Sequence, residues 1–175
     1  MTAIVTGGSA GIGLAIVQEL LKGGEEVVSL DLKPSPQKKA RHLAVDLTDP
    51  AATAWAAAEI AKKHQVTTLI HNAGTIRPAL LPEVKVEDLN ALVNLHITAA
   101  VILLQACLPA MKAAGFGRVV LVSSRAVLGL PRGTMLWKLS VSIGPGATTF
   151  TVMPCGASSS AQVRAMPSMP ALLAE

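Results

Sequence analysis

The chain has 175 residues, enough for one domain; 51% of them are hydrophobic but only 2% are aromatic, so the predicted core is aliphatic. A formal net charge of +4, carried by scattered Lys and Arg with few rings to stack on bases, argues against a nucleic-acid partner. Cys107 and Cys155 are too few for a disulfide framework or a metal cluster, no basic stretch leads an apolar run as in a signal peptide, and apolar runs broken by Gly, Asp or Pro stop short of the ~18 residues of a membrane span, so a reduced, cytoplasmic setting is expected.

Residues 2–5, Thr-Ala-Ile-Val, predict a first strand. Residues 6–13 then read Thr-Gly-Gly-Ser-Ala-Gly-Ile-Gly and open a segment in which Ile12, Ile16, Leu20 and Leu14, Val17, Leu21 recur at helical spacing. Strand, glycine-rich turn and helix start form a phosphate cradle. Glycine lets the backbone approach a pyrophosphate, and the unpaired N–H groups at the helix start hold its charge. A plain glycine turn is the rival reading at this point. Gly23-Gly24 stops the helix.

Residues 26–30 predict a second buried strand that ends at Asp31, and residues 42–45 a third that ends at Asp46. Asp49 followed by Pro50 is an N-cap and first-turn pair, launching an alanine-rich helix over 51–63. Residues 66–71 form the fourth predicted strand, followed by Asn72-Ala73-Gly74. A long helix is predicted over 82–114, clearest from Glu87 and ended by Gly115, and a fifth strand over 118–123. Strands alternating with helices predict parallel βαβ units: an α/β fold with a Rossmann-type, doubly wound parallel sheet in three layers. From about Thr134 the residues turn to Gly, Pro, Ser, Thr and Met without a period. Residues 1–134 are therefore read as a dinucleotide-binding domain and 135–175 as an irregular tail, with 148–153 a candidate further strand.

Five features then stand in order: the turn over residues 6–13, Asp31, Asp46-Leu47, Asn72-Ala73-Gly74, and Asn94 ahead of Val119-Val120-Leu121-Val122-Ser123-Ser124. With these, residues 1 to about 134 resemble a short-chain dehydrogenase/reductase. The resemblance implies that Gly7, Ser9, Gly11, Ile12 and Gly13 hold a dinucleotide. Asp31 sits 18 residues past Gly13 at a strand tip, where a carboxylate accepts bonds from ribose hydroxyls and repels a 2′-phosphate. No Arg or Lys occurs in the turn and Lys33 is a single nearby charge, so NAD is favoured over NADP. Asp46 resembles the family's adenine-contacting aspartate, with Leu47 lying against the ring. Asn72, Ala73 and Gly74 resemble the motif in which the Asn steadies the central sheet and small residues admit the cofactor. His71 is read as packing or surface.

Asn94 falls inside a helix, where Asn has poor propensity. In the family an Asn here holds a water through the local backbone and links it to a lysine. Ser124 resembles the serine that hydrogen-bonds the substrate carbonyl. Plainer roles stay open for each: turn residues for Asp31 and Asp46, an inter-helix polar residue for Asn94, a strand cap for Ser124.

The pattern then departs from the family, whose general acid/base is a tyrosine about a dozen residues past that serine, with a lysine one helical turn beyond it. Counting lands on Leu136 or Trp137, the chain contains no tyrosine, and Lys138 follows Ser124 by only 14 residues. The expected function is NAD(P)-dependent hydride transfer between a small-molecule secondary alcohol or carbonyl and nicotinamide, with activity in doubt. The rivals are a nucleotide-binding or interaction protein without turnover, and a truncated or frameshifted product, which a Tyr-x-x-x-Lys in another frame after Thr134 would reveal. The resemblance also implies a homo-oligomer joined through the long helix. If the later strands are lost, the strand over 118–123 is expected to end the sheet.

Overall fold

In the computed structural model, which describes residues 1–77, 79 and 81–124, the five apolar runs become five parallel strands of one sheet. They are β1 (Thr2–Thr6), β2 (Glu26–Asp31), β3 (Arg41–Ala44), β4 (Val66–His71) and β5 (Arg118–Leu121), in the spatial order β3-β2-β1-β4-β5. The helices are α1 (Gly11–Lys22), α2 (Pro50–Lys63), α3 (Val86–Val93) and α4 (Ala99–Ala113). These elements belong to one structural unit, Met1–Leu130. The expectations for Leu136, Trp137, Lys138, the strand over 148–153 and the tail over 135–175 lie outside the described residues.

Alternation along the central strands explains the three layers. Ile4, Val28 and Leu69 pack on one face with Ala56, Ala57 and Ile60 of α2 and Leu103, Cys107 and Met111 of α4. Their neighbours Val5, Val27 and Ile70 point to the other face, where Val17 of α1 meets them. Every residue of β1 and β4 is buried, as expected of parallel strands covered on both sides. Helix α2 starts as predicted: Asp49 accepts from the N–H groups of Ala51 (2.8 Å) and Ala52 (3.3 Å), and Pro50 occupies the first turn.

The long helix departs from its prediction. Residues Leu81–Glu83 form a separate 3₁₀ turn, and the α-helix begins at Val86 with Glu87 and Asp88 favourably placed in its first turn. It is interrupted over Asn94–Thr98 by a π segment, in which the Ala99 N–H bonds to the Asn94 carbonyl five residues back. By length and composition alone, Val86–Ala113 is apolar enough to cross a membrane, which the broken apolar runs did not suggest. Here Leu103, Cys107 and Met111 instead face the core under the sheet. A second face leaves Val86, Leu89, Val93, Ile97 and Val101 exposed at helical spacing.

β3 lies one residue earlier than predicted. β5 is shorter than predicted, ending at Leu121, although the Val122 N–H still bonds to the His71 carbonyl at 2.9 Å. Among the described residues β5 is an edge of the sheet, with Val119 and Val120 half-buried and Leu121 exposed rather than enclosed on both faces.

Candidate functional site

From β1 the chain winds outward through β2 and β3, then returns to lay β4 and β5 on the other side of β1. The strand order therefore reverses between β1 and β4, and in open parallel sheets ligands bind at such a reversal, beyond the carboxyl ends of the strands. Parallel pairing brings the ends of these strands to one edge, since Thr6 is level with Leu30 and with His71, and His71 with Leu121. The turn after β1, Asp31, the Asn72-Ala73-Gly74 segment and the Ser124 end beyond β5 thus share that edge.

The turn leads directly into α1, whose N-terminus differs from that of α2. Ala10 supplies no side-chain cap, where Asp49 caps α2, although neither helix holds an acidic residue in its first turn. A helix start left uncapped at a sheet switch point suits an anion, because its first N–H groups have no partner within the helix. Gly11 opens the helix at a φ of +52, a left-handed conformation that a β-carbon disfavours. Gly13 is needed for a different reason: a β-carbon there would lie 1.9 Å from the Gly7 carbonyl oxygen. Ile12, between them, is exposed.

Asp31 closes the turn against the β2–β3 loop. Its carboxylate accepts from the Ser9 N–H (3.0 Å) and from the Lys33 N–H (3.1 Å), while the Ser9 hydroxyl donates to the Lys33 carbonyl. A carboxylate offers about four acceptor positions, so two remain for other donors.

Asn72 holds the other wall. Its side-chain amide donates to the carbonyls of Thr6 (3.2 Å) and Gly7 (3.3 Å). The Thr6 hydroxyl accepts from the N–H groups of Asn72 (3.0 Å) and Ala73 (2.9 Å) and lies 3.0 Å from Nδ1 of His71. On its other side, His71 Nε2 is 3.0 Å from the Leu95 carbonyl of the π segment. Of the two readings of His71, packing or surface, the structure shows the first: it is buried, and both ring nitrogens are engaged. Burial, reinforced by the neighbouring His96 and opposed in part by the Leu95 bond, lowers its pKa, keeping it neutral at pH 7. Gly74 passes beside the His96 ring, whose Nε2 is 3.0 Å from the Thr75 carbonyl.

The Asp46-Leu47 pair is only partly as read. Asp46 is exposed and accepts from the N–H (2.9 Å) and hydroxyl (2.7 Å) of Thr48, bracing its own turn. Leu47 does not present its side chain to a ring: it is 4% exposed and packs in the core with Val45, Ala56 and Leu95. Asn94 opens the π segment, and its side-chain amide donates to the Thr48 carbonyl at 3.0 Å, so a polar tie joins this turn to the long helix. Ser124 is exposed, three residues past the end of β5.

Thr6 and His71 are the residues that sequence reasoning missed. The available signal was a polar residue closing an otherwise buried strand, which demands a partner.

Comparisons with known proteins agree with this geometry. A family model described as short chain dehydrogenase matches residues 1–134. The Bacillus subtilis protein described as uncharacterized oxidoreductase YxjF is 30% identical over 137 residues, covering 70% of this chain and 52% of that one. The 3-oxoacyl-[acyl-carrier-protein] reductase MabA of Mycobacterium tuberculosis is 31% identical over 125 residues, covering 70% of this chain and 50% of that one. Among solved structures, a 3-oxoacyl (acyl-carrier-protein) reductase from Agrobacterium tumefaciens with NADP bound superposes with a TM-score of 0.62 at 32% identity, over 67% of this chain and 50% of that one. The chain spans about half the length of these curated relatives.

Proposed function

Because the chain belongs to the short-chain dehydrogenase/reductase family of oxidoreductases, we propose that it holds a nicotinamide dinucleotide at the β1–α1 turn, NAD(H) in preference to NADP(H), for hydride transfer between a secondary alcohol and a carbonyl. The observation that carries this is the uncapped, acid-free start of α1 at the switch point, with Gly13 packed so closely on Gly7 that the helix start stands there as bare backbone. Backbone groups of Gly7, Ser9, Gly11, Ile12 and Gly13 face the pyrophosphate. Asp31 uses its two remaining acceptor positions for the adenosine ribose hydroxyls. Asp46 and the Asn72-Ala73-Gly74 wall bound the rest of the cofactor.

The bound cofactor supplies or accepts the hydride. Ser124 orients the substrate carbonyl and Asn94 supports the proton relay through its backbone. With no tyrosine in its 175 residues, this chain by itself has no phenol to deliver the proton, a loss of roughly 10²–10⁴-fold in rate. That absence favours a second reading, a nucleotide-binding protein without turnover. We further propose a cytoplasmic setting, in keeping with the buried free thiol of Cys107. The exposed stripe from Val86 to Val101 supports association with a second copy of the chain.

Fluorescence titration of NADH and NADPH tests the cofactor reading. NADH is expected to bind roughly tenfold more tightly, about 1.4 kcal/mol, and equal or tighter NADPH binding refutes the preference. Asp31→Ala should weaken NADH and narrow the gap; an unchanged gap removes Asp31 from the ribose site. Following absorbance with a panel of ketones and secondary alcohols separates the two readings, since turnover near 10 s⁻¹, an ordinary enzyme value, excludes the one without turnover.

A further inference from the structure

A regular α-helix would bond the Ala99 N–H to the Leu95 carbonyl, four residues back. The π segment sends that N–H to Asn94 instead, which frees the Leu95 carbonyl, and His71 Nε2 reaches it at 3.0 Å. The hydrogen-bond inventory at Thr6 then fixes the ring's state. The hydroxyl already accepts two N–H groups, from Asn72 and Ala73, and therefore has only its own proton left for His71 Nδ1. Nδ1 accepts, so the proton of the neutral ring sits on Nε2 and is donated to Leu95. One imidazole thus bridges the Thr6–Asn72 wall of the turn and the π segment bearing Asn94, a segment that His96 also ties to the Thr75 carbonyl beyond that wall.

We propose that His71 is a positioning residue whose neutral Nε2–H ring locks the π segment to the dinucleotide turn, and that protonating the ring releases both together. A proton on Nδ1 would point a donor at a hydroxyl whose acceptor positions are filled, and would leave the hydroxyl's own proton without an acceptor. The groups that face the ring are Thr6 from β1 and Leu95 and His96 from the π segment, while β5 reaches only the His71 backbone, through the Val122 N–H. Of these only His96 is ionisable, and a charge there opposes one on His71. The effect on cofactor binding rests on the proposed dinucleotide site, whereas the lock itself does not.

The test is a pH titration from 8 to 5 of the full chain labelled with ¹⁵N, followed by NMR alongside NADH binding. At pH 8 the His71 ring is expected as the Nε2–H tautomer. As pH falls, the amides of Asn72, Ala73 and Ala99 should shift with one midpoint shared with that ring, and NADH affinity should drop about tenfold over the same range. An Nδ1–H tautomer, or separate midpoints on the two sides of the ring, overturns the lock. His71→Gln keeps a donor for Leu95 but does not titrate in this range, so its amides and NADH affinity should be flat between pH 8 and 5. A pH response that survives His71→Gln assigns the effect elsewhere and overturns the proposal. If NADH fails to bind the unaltered chain at every pH, the cofactor site falls, while the ring tautomer and amide midpoints still decide the lock.

Discussion

Gly13→Ala sets two opposing effects against each other at one atom. Alanine is the better helix former, and in an exposed helix interior the exchange would stabilise by about 1 kcal/mol. At Gly13 the new β-carbon lies 1.9 Å from the Gly7 carbonyl oxygen, 2.7 Å from the Gly7 carbonyl carbon and 2.6 Å from the Asn72 side-chain nitrogen. Ordinary contact begins near 3.4 Å, so α1 and the turn must separate by about 1.5 Å. Overpacking of this kind costs about 1–3 kcal/mol. The same displacement breaks the bond from Asn72 to the Gly7 carbonyl, a further loss of about 1 kcal/mol. The steric side wins, and the net expectation is a destabilisation of about 2 kcal/mol with dinucleotide binding lost. Urea unfolding measures it: with a slope of about 1–3 kcal/mol/M, the midpoint should fall by roughly 1 M at unchanged slope. Gly23→Ala is the control, because Gly23 has a helical φ of −72 and a β-carbon there comes no closer than 3.4 Å to a neighbour. A Gly13→Ala chain as stable as the Gly23→Ala chain, still binding NADH, would refute the close-approach argument.

Thr6→Val keeps the shape of the side chain but removes the oxygen on which two N–H groups and one imidazole nitrogen converge. With about 1–3 kcal/mol for each buried group left unpaired, the loss should reach about 3 kcal/mol, and Thr6→Ser should recover most of it; similar midpoints for Val and Ser would contradict the network. Stability should also fall as pH drops below about 6.5, because the unfolded His71 takes a proton there that the buried ring refuses. The slope is at most about 1.4 kcal/mol per pH unit for one such group, and it falls off once the folded ring takes the proton as well. Glu26, whose carboxyl is held below its ordinary range chiefly by the Thr2 hydroxyl, adds its own loss only below its reference value of 4.5. Denaturation at pH 7, 6 and 5 therefore isolates the histidine, and a flat profile would count against its burial in the neutral form.

Strands were legible because each central one is enclosed on both faces, and enclosure writes an unbroken apolar run: Ala3-Ile4-Val5 and Val27-Val28 need no partner to be recognised. The Asp49-Pro50 start of α2 was legible because a cap is local chemistry. The site's outline was visible through glycines and strand-tip carboxylates for the same reason. The π segment was not, since its cause lies in ties from elsewhere: Thr48 holds Asn94, and His71 holds Leu95. Nor was the direction of Leu47, because a turn after a four-residue strand keeps no alternation to extrapolate. The role of Thr6 escaped because its partners His71, Asn72 and Ala73 stand 65 to 67 positions away.

That separation has a consequence for how the chain comes off the ribosome. Among the described strands β1 lies in the middle of the sheet, yet it is made before the other four, and its partners arrive at very different times. β2 follows after one helix, whereas β4 must wait for β3 and α2 to be completed, and only then does the pairing from Thr2↔Val66 to Thr6↔His71 close the second side. Bringing such distant segments together carries a loop-closure cost before any contact rewards it, which slows folding. Until then Ala3, Ile4 and Val5 form an open, strongly pairing edge on the nascent chain. Among the described strands β1 is therefore the one most in need of chaperone cover during synthesis, and slowing translation between residues 31 and 66 should raise the fraction lost to aggregation.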